Sequence, residues 1–272
     1  MPSLKAEDPF VRFTIRRFVT IMRPMVLNLI FAFAGLITGG VINVLADDLP
    51  ARVQPTSPHC TQCGHRYDAS RWMALGRLLR GGRCPQCRSV VARRPIVVEI
   101  VTMVIFAVLP SLIGDPVDLL FAAAYIAILI LIIVVDLEHR LILHVVTIPS
   151  TLLALAGSIF ISGNSLLLAL LGAGLGFVVF FCLYWLGQKL FGPGALGFGD
   201  VTLSMTLGAM VGFPYVVFAL VMGIILGGLI SFALIVSGRL SMRSYVAYGP
   251  FLAMAGIVTV VWGEKILAWY IR

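Results

Sequence analysis

Charged side chains are scarce in this sequence. They make up 12% of the 272 residues, and 60% of the residues are hydrophobic, whereas a soluble domain usually carries about a quarter charged residues. The apolar residues form long runs without a regular alternation of polar positions, so no polar face remains to meet water. These features exclude an ordinary soluble domain, and we expect lipid to be the solvent for most of the chain.

The apolar runs predict helices. Unpaired backbone amides are too costly in hydrocarbon, which leaves helices and closed β-barrels as spanning structures, and continuous runs favour helices. Runs long enough to cross a hydrocarbon core of roughly 30 Å predict an all-α, polytopic membrane helical bundle of about eight transmembrane helices. The predicted spans are residues 26–45, 96–113, 119–135, 145–161, 166–186, 201–213, 215–237 and 248–270.

Basic residues outnumber acidic residues, and the net charge of +8 could indicate a nucleic-acid partner. However, nine of the twenty Lys and Arg residues lie between Arg52 and Arg94. Basic connections are retained on the cytosolic side of a membrane, so the loop at residues 46–95 is predicted to be cytosolic. We therefore predict the lipid bilayer as a partner and no nucleic acid.

The N-terminal segment, residues 1–25, is also basic. Strict alternation of the spans places it opposite the 46–95 loop, in disagreement with the same charge rule. Because apolar residues are interleaved with its charges, we predict an amphipathic helix on a membrane surface. A first transmembrane helix at 26–45, the loop domain at 46–95 and a transmembrane domain at 96–272 complete the predicted organisation.

Four of the five cysteines form two CxxC pairs inside the basic loop: Cys60 with Cys63 and Cys84 with Cys87. This spacing is close to that of a four-cysteine zinc ribbon, in which the thiolates surround one tetrahedral ion. Disulfides rarely persist in the cytosol. The loop is therefore predicted to be a small cytosolic zinc-ribbon-like domain with a structural Zn²⁺, although iron accepts the same ligands. Cys182 lies in an apolar run and is predicted to pack there.

Two aspartates stand at the ends of apolar runs on the predicted cytosolic side. Asp136 ends one run, and Asp200 follows Gly197-Phe-Gly199 and begins another. Paired aspartates can hydrolyse a peptide when one carboxylate takes a proton from water and the other polarises the carbonyl. The two glycines would let an extended substrate approach closely. For either aspartate alone, a helix cap or an interfacial position is the more common role.

The order of these motifs resembles that of the type IV prepilin peptidases, bacterial members of the GxGD class of intramembrane aspartyl proteases. The resemblance extends from about Gly39 to Gly256. It is carried by both cysteine pairs, Arg94-Pro-Ile-Val-Val-Glu99, Asp136, Gly197-Phe-Gly-Asp200 and Tyr248-Gly-Pro-Phe251.

The resemblance implies a peptidase of the bacterial inner membrane that removes the basic leader of prepilins or pseudopilins at the cytosolic face. It implies Asp136 and Asp200 as the catalytic pair and the four cysteines as a zinc site. Many family members also methylate the new N-terminus with S-adenosylmethionine. The sequence departs from the family pattern at Asp48, where an arginine is common, and this departure weakens the expectation of methylation.

Further departures are Leu143-His144, where the family usually has Pro-Asp, and Thr202, where it usually has lysine. These changes keep two other hypotheses open. One is a cation-coupled transporter, in which intramembrane carboxylates bind the cation. The other is a non-catalytic membrane assembly factor of a pilus or type II secretion system.

Overall fold

The computed structural model describes residues 9–51, 56–60, 62–192, 196–238 and 248–271, with only the backbone described for residues 9–24. These residues form helices without any strand of a sheet. The helices are α1 (Pro9–Asp48), α2 (Ala74–Leu79), α3 (Arg93–Leu112), α4 (Pro116–His139), α5 (His144–Gly157), α6 (Leu166–Phe191), α7 (Phe198–Val211), α8 (Tyr215–Val236) and α9 (Gly249–Tyr270).

The predicted fold class is confirmed. Within the described residues, six helices are long and apolar enough to span a membrane, and α5 and α7 are shorter apolar helices. At 1.5 Å per residue, a helix of 14 residues is only about 21 Å long, less than the hydrocarbon thickness. Each of the eight predicted runs falls on one of these eight helices.

Helix α1 includes most of the N-terminal segment as well as the first apolar run. Helix α1 starts at Pro9 and continues into the first apolar run without interruption. Residues 1–8 and the side chains up to residue 24 lie outside the described part of the chain, so an amphipathic surface helix there remains a prediction.

Helix α7 lies inside the bundle and contacts α5, α6, α8 and α9. Its residues from Asp200 to Met210 are buried almost without exception. A short helix surrounded by other helices does not need to match the bilayer thickness, because its neighbours satisfy and cover it. This position explains how a run of only 14 residues is accommodated in a membrane protein.

Small residues bring α6 and α7 into backbone contact. A Cβ atom on Gly172 would collide with the carbonyl of Gly208, and one on Gly176 would collide with the carbonyl of Ser204. The Ser204 hydroxyl also donates to the Gly176 carbonyl at 2.9 Å. Close approach of this kind is how helices associate where the hydrophobic effect is weak.

Threonines join α5 to α7 on another side. The Thr151 and Thr206 hydroxyls lie 2.9 Å apart, and Thr206 also approaches the Thr147 carbonyl at 3.2 Å. Hydroxyls buried in an apolar bundle must find partners within it. These contacts position α7 relative to α5.

Candidate active site and metal centre

Asp136 lies in the last turn of α4 and is only 2% exposed. The helix ends immediately afterwards at Arg140, whose φ of 54° is left-handed. Its carboxylate faces the first residue of α9, because a Cβ atom on Gly249 would lie 2.5 Å from Asp136 Oδ2. Only glycine allows α9 to begin this close to the acid.

Asp200 lies in the first turn of α7 and is 1% exposed. Gly197 is the N-cap residue, and its carbonyl accepts the Asp200 backbone N–H at 3.1 Å. An acidic side chain in the first turn is favoured by the partial positive charge of the helix N-terminus. The Gly-Phe-Gly stretch therefore places Asp200 at the start of a helix rather than in an open loop.

The fold brings the two aspartates together through Ile142. A Cβ atom on Gly199, next to Asp200, would lie 2.7 Å from Ile142 Cβ, and one on Gly249 would lie 3.0 Å from Ile142 Cδ1. Gly249, which contacts Asp136, and Gly199, which precedes Asp200, thus pack against one side chain. Among the described residues, Oδ2 of Asp136 and Oδ1 of Asp200 are buried without a hydrogen-bond partner. The pair thus presents two buried acceptors, an arrangement that costs free energy unless another group bonds to them.

Tyr248 closes the site on the side of α8. Its hydroxyl donates to the Gly223 carbonyl at 3.1 Å, its ring packs against Phe180, and a Cβ atom on Gly227 would collide with the ring. The ring is therefore held by its neighbours at the beginning of α9. Tyr248 and Gly249 belong to the Tyr248-Gly-Pro-Phe251 motif, whose role the sequence alone did not indicate.

The two aspartates lie at the end of the bundle that is next to the loop at residues 46–95. This loop carries the four paired cysteines and is called the metal loop below. Arg94, at the start of α3, pairs with Asp47 of α1 at 2.7 Å and with Glu138 of α4 at 2.5 Å. Glu138 is two residues beyond Asp136. The loop at residues 46–95 and the aspartates were predicted to share one side, and this ion pair joins the end of the loop to a residue close to Asp136.

The four loop cysteines converge. Their sulfurs all lie within 4.8 Å of one another, with Cys60 and Cys87 3.7 Å apart and Cys63 and Cys84 3.8 Å apart. Four sulfurs at about 2.3 Å from a tetrahedral ion would be about 3.8 Å from each other. The cluster therefore has the geometry to hold one metal ion.

Each CxxC pair is shaped by the same backbone turn. The N–H of Cys60 bonds to the His65 carbonyl at 2.8 Å, and the N–H of Cys84 bonds to the Ser89 carbonyl at 2.9 Å. The fourth residue after each first cysteine, Gly64 or Arg88, has a positive φ of 71° or 58°. Two copies of one turn thus direct two pairs of sulfurs at a common point.

The environment of Cys60 favours the thiolate that metals bind. Burial opposes ionisation, but hydrogen bonds with the Ser89 side chain and with the backbone of Gln62 and Cys63 lower the pKa of Cys60 to about 5. Cys182 is exposed on the apolar helix α6, away from this cluster.

Sequence comparison agrees with this geometry. Residues 123–232 match the type IV leader peptidase family, and residues 33–112 match the bacterial peptidase A24 N-terminal domain. A prepilin leader peptidase/N-methyltransferase of Legionella pneumophila is 30% identical over 217 residues, which cover 79% of this chain and 74% of that protein. The chain belongs to the type IV leader peptidase family.

Other members of this leader peptidase family are similar to the chain to about the same degree. A prepilin leader peptidase/N-methyltransferase of Pseudomonas putida is 27% identical, with 91% of this chain and 94% of that protein aligned. One from Dichelobacter nodosus is 29% identical over 208 residues. No solved structure matches the chain. The resemblance stated from the sequence motifs is thus confirmed at the level of the family.

The departures from the leader peptidase pattern have structural explanations in two cases. Thr202 is buried and donates to the Gly199 carbonyl at 2.9 Å, so it stabilises the turn before Asp200 instead of carrying a charge. His144 begins α5, and its ring packs edge-on against Phe198. Thr202 therefore packs within the first turn of α7, and His144 packs against Phe198, the residue that begins this helix.

Glu99, the last residue of the Arg94-Pro-Ile-Val-Val-Glu99 motif, is a buried contact between the loop and the bundle. It is 1% exposed and lies six residues beyond the start of its own helix, α3. Its carboxylate accepts the backbone N–H groups of Ala74 and Leu75 at 2.7 and 2.8 Å. Glu99 therefore caps α2, a helix of the metal loop, and holds that loop against the membrane bundle.

Proposed function

We propose that this protein is a membrane-embedded aspartic endopeptidase that removes the leader peptide of type IV prepilins or pseudopilins. The observation that supports the proposal is that Asp136 and Asp200 are both buried near Ile142, each with one unpartnered oxygen. Family membership supplies the reaction class. The relatives named above are prepilin leader peptidases, which supports prepilins as the substrate class.

In the proposed mechanism, the two carboxylates hold one proton between them, because two negative charges that act on one peptide bond would repel each other. The ionised aspartate takes a proton from the attacking water, and the protonated aspartate donates a hydrogen bond to the scissile carbonyl. The substrate must be extended at this point, since a helix shields its own carbonyls. Gly197 and Gly199 are proposed to line the path of that extended segment.

We further propose that cleavage occurs at the cytosolic face of the bacterial inner membrane. The basic loop at residues 46–95 supports this orientation, because short basic connections stay in the cytosol. The Arg94–Glu138 ion pair ties the start of α3, where this loop ends, to the helix end that carries Asp136.

The location of the acids also bears on the transporter hypothesis. Asp136 and Asp200 lie at helix ends on one side of the bundle, whereas transporters commonly bind their ions near the bilayer midplane. This arrangement favours the peptidase over the transporter.

The test is cleavage of a purified prepilin by the full chain in detergent or in liposomes. Asp136→Asn and Asp200→Asn each keep the side-chain shape but remove the proton exchange, so we expect each to lower the rate by at least about 100-fold. Gel mobility or mass spectrometry of the product measures the rate.

Asp118→Asn is the matched control for this cleavage assay. Asp118 lies near the other end of α4 and accepts the Ser162 N–H through Oδ1, which asparagine retains. Eighteen residues of helix separate it from Asp136, about 27 Å. Full activity of either dyad variant would exclude the aspartate mechanism, and absence of cleavage by the unmodified protein would favour an assembly factor.

For the metal centre, we propose a structural Zn²⁺ held by Cys60, Cys63, Cys84 and Cys87. Four thiolates complete a tetrahedral shell and leave no position for a catalytic water. Metal analysis of the purified protein should give one zinc per chain, and Cys84→Ser should lower this content strongly. Cys182→Ser should retain the zinc, because that residue lies outside the cluster. Iron in place of zinc would contradict the metal assignment and not the site.

We also propose S-adenosylmethionine as a second cofactor, used to methylate the new N-terminus. The relatives are named N-methyltransferases as well as leader peptidases. Asp48, which stands where an arginine is common in the family, is buried and accepts the Thr56 N–H at 2.8 Å. The Asp48 carboxylate thus has a hydrogen-bond partner within the protein. An aspartate at this position is therefore compatible with an intact fold.

A further inference from the structure

A polar cavity lies at the end of the bundle opposite the aspartate pair. Its volume is about 250 Å³, and its wall includes the end of α3, the start of α4, the α5–α6 connection and the C-terminal part of α9. Thr259 and Lys265 both line it, so it extends over about 9 Å of α9. Neither the proposed peptide hydrolysis nor the metal centre uses this cavity.

Tyr125 points to a ligand in this cavity. It lines the wall and is 2% exposed, yet its hydroxyl has no hydrogen-bond partner among the described residues. Side chains of a helix lean towards its N-terminus, so Tyr125 on α4 leans towards the end at which the cavity lies. A buried phenol usually finds a partner, because an unpaired one is unfavourable. A polar ligand would supply that partner.

The rim of the cavity is mainly acidic. Asp115, Asp118 and Glu264 line it, and Lys265 is the one basic side chain among the described lining residues. The Oδ1 atoms of Asp115 and Asp118 accept backbone N–H groups, so a second oxygen of each carboxylate remains for another donor. Three carboxylates against one lysine favour a ligand with a positively charged group.

The rim carboxylates do not converge as the ligands of a metal ion do. Oxygen ligands lie about 2.3–2.6 Å from a Ca²⁺ ion and therefore within about 5 Å of each other. In the part of the chain that the structure describes, only the four loop cysteines bring three or more ligating side chains this close together. An ammonium group, which has three N–H donors that point in different directions, suits carboxylates spread around a rim.

Lys265 favours a ligand that also carries a negative charge. It is exposed on the same wall. Within the described residues it forms no ion pair, since both pairs found there involve Arg94. Because lysine binds phosphate as a compact positive charge, a zwitterion with an ammonium and a phosphate would match both the acids and Lys265.

The cavity lies at the level expected for lipid headgroups. The ends of α3, α4 and α9 bound it, and each of these helices is long and apolar enough to span a membrane. Tyr215 lines the cavity, and Trp262 is exposed nearby on α9. Tyrosine and tryptophan concentrate where the bilayer meets water. Phosphate is therefore the anion that this site meets most directly.

We propose that this cavity binds a phosphoethanolamine group, with the ammonium among the three rim carboxylates, the Tyr125 hydroxyl accepting one of its N–H groups and Lys265 binding the phosphate. The group has the same chemistry in a lipid headgroup and in the free compound. Its binding joins the start of α4 to the end of α9. The proposal is independent of the proposed peptidase function, because it concerns the other end of the bundle.

The first test is native mass spectrometry of the purified full chain with phosphatidylethanolamine and phosphatidylglycerol of identical acyl chains. Both lipids carry phosphate, but only the first carries an ammonium. We expect the ammonium lipid to be retained at least about tenfold more strongly, as for a hydrogen bond to a charged group. Isothermal titration calorimetry with O-phosphoethanolamine tests the free compound. Binding of the lipid alone identifies a lipid site, and saturable binding of O-phosphoethanolamine identifies a site open to the soluble compound.

Two variants test the assigned residues. Tyr125→Phe removes only the hydroxyl, and Glu264→Gln removes a rim charge while keeping the side-chain shape. Each should weaken binding by at least about tenfold. Thermal melts of the same samples show whether the variants fold, and Glu264→Gln changes an exposed position, so it carries the test if Tyr125→Phe is unstable. A purely structural tyrosine would change the melting temperature without changing the preference between the two lipids.

The chain contains matched controls for both variants. Tyr270 is exposed at the end of α9 and does not line the cavity, so Tyr270→Phe should bind normally. Asp68 is exposed on the metal loop and also lies outside the wall, so Asp68→Asn removes a carboxylate charge without changing binding.

The outcomes are independent of prepilin cleavage. Equal retention of the two lipids, together with no binding of O-phosphoethanolamine, overturns the proposal. Unchanged affinity in both Tyr125→Phe and Glu264→Gln also overturns it, because the group would then bind elsewhere on the protein. Protein that binds phosphoethanolamine as predicted but does not cleave prepilin overturns the peptidase and leaves this site assigned.

Discussion

At the scale of single residues, Gly249 controls the position of a proposed catalytic acid. A Cβ atom there would lie 2.5 Å from Oδ2 and 3.2 Å from Cγ of Asp136. Contacts this short do not occur in folded proteins without a shift of one partner. The hydrogen on this glycine is therefore part of the geometry of the site.

We predict that Gly249→Ala lowers the rate of leader cleavage by more than tenfold while the protein still folds, because the Asp136 carboxylate must turn away from the added methyl group. Small misplacements of reacting groups commonly cost this much or more. Kinetics on a purified prepilin and a thermal melt of the same sample measure the two effects.

Gly228→Ala is the control for Gly249→Ala, because a Cβ atom on Gly228 would meet nothing within 4 Å. Normal cleavage is expected in this variant. If Gly249→Ala is also fully active, the close contact with Asp136 has no catalytic consequence.

At the scale of helices, the contact between α6 and α7 determines where Asp200 lies. Helix α7 carries Asp200 in its first turn and is held along one side by backbone contacts from Gly172 and Gly176. Packed interiors transmit displacements because they contain little free volume. A side chain inserted along this contact should therefore affect the active site from a distance.

We predict that Gly172→Ala separates α6 from α7, lowers the free energy of unfolding by about 1–3 kcal/mol as expected for overpacking, and reduces leader cleavage. The added Cβ atom would lie 3.0 Å from the carbonyl carbon of Gly208 and in collision with its oxygen. Thermal or denaturant unfolding in detergent and the cleavage assay measure these effects.

Gly174→Ala distinguishes packing from helix propensity. Gly174 lies on the same helix, two residues away, with open space around it, so alanine should be neutral or slightly stabilising there. Equal destabilisation by both substitutions would show that the α6–α7 contact is not the cause.

At the scale of the whole molecule, two buried or half-buried groups join the metal loop to the membrane bundle. Glu99 caps α2 of the loop with two hydrogen bonds, and Arg94 connects α1, α3 and α4 through Asp47 and Glu138. The metal ion is proposed to order the loop internally. These polar contacts, in contrast, orient the ordered loop on the bundle.

We predict that Glu99→Ala loosens the metal loop from the bundle without releasing the metal, since it leaves the N–H groups of Ala74 and Leu75 buried without an acceptor, at a cost of roughly 1–3 kcal/mol each. Faster tryptic cleavage at the loop arginines, with unchanged zinc content, is the expected result.

Glu264→Ala is the control for the Glu99 variant, because Glu264 is exposed at the opposite end of the bundle, near Gly163. Its tryptic pattern should match that of the unmodified protein. A loss of zinc from Glu99→Ala would show that the loop and its attachment cannot be separated.

The sequence by itself determined the membrane character, the number of apolar helices and the four cysteines that cluster. Long uncharged runs favour lipid over water, and the CxxC spacing lets two sulfurs bind the same ion. Both signals come from residues that are neighbours in the sequence. It also marked Asp136 and Asp200, because acids and flanking glycines are conspicuous in apolar surroundings. Their assignment as a catalytic pair came from the family resemblance and is still a proposal.

Only the tertiary structure decided which distant residues meet. It placed Gly249 against Asp136, put α7 inside the bundle, turned Glu99 towards α2 and brought Tyr125 and Glu264 to the wall of one cavity. Such contacts depend on how helices far apart in sequence pack against each other. Hydrophobic periodicity defines each helix but carries little information about which face of one helix meets which face of another, and that choice determines the sites.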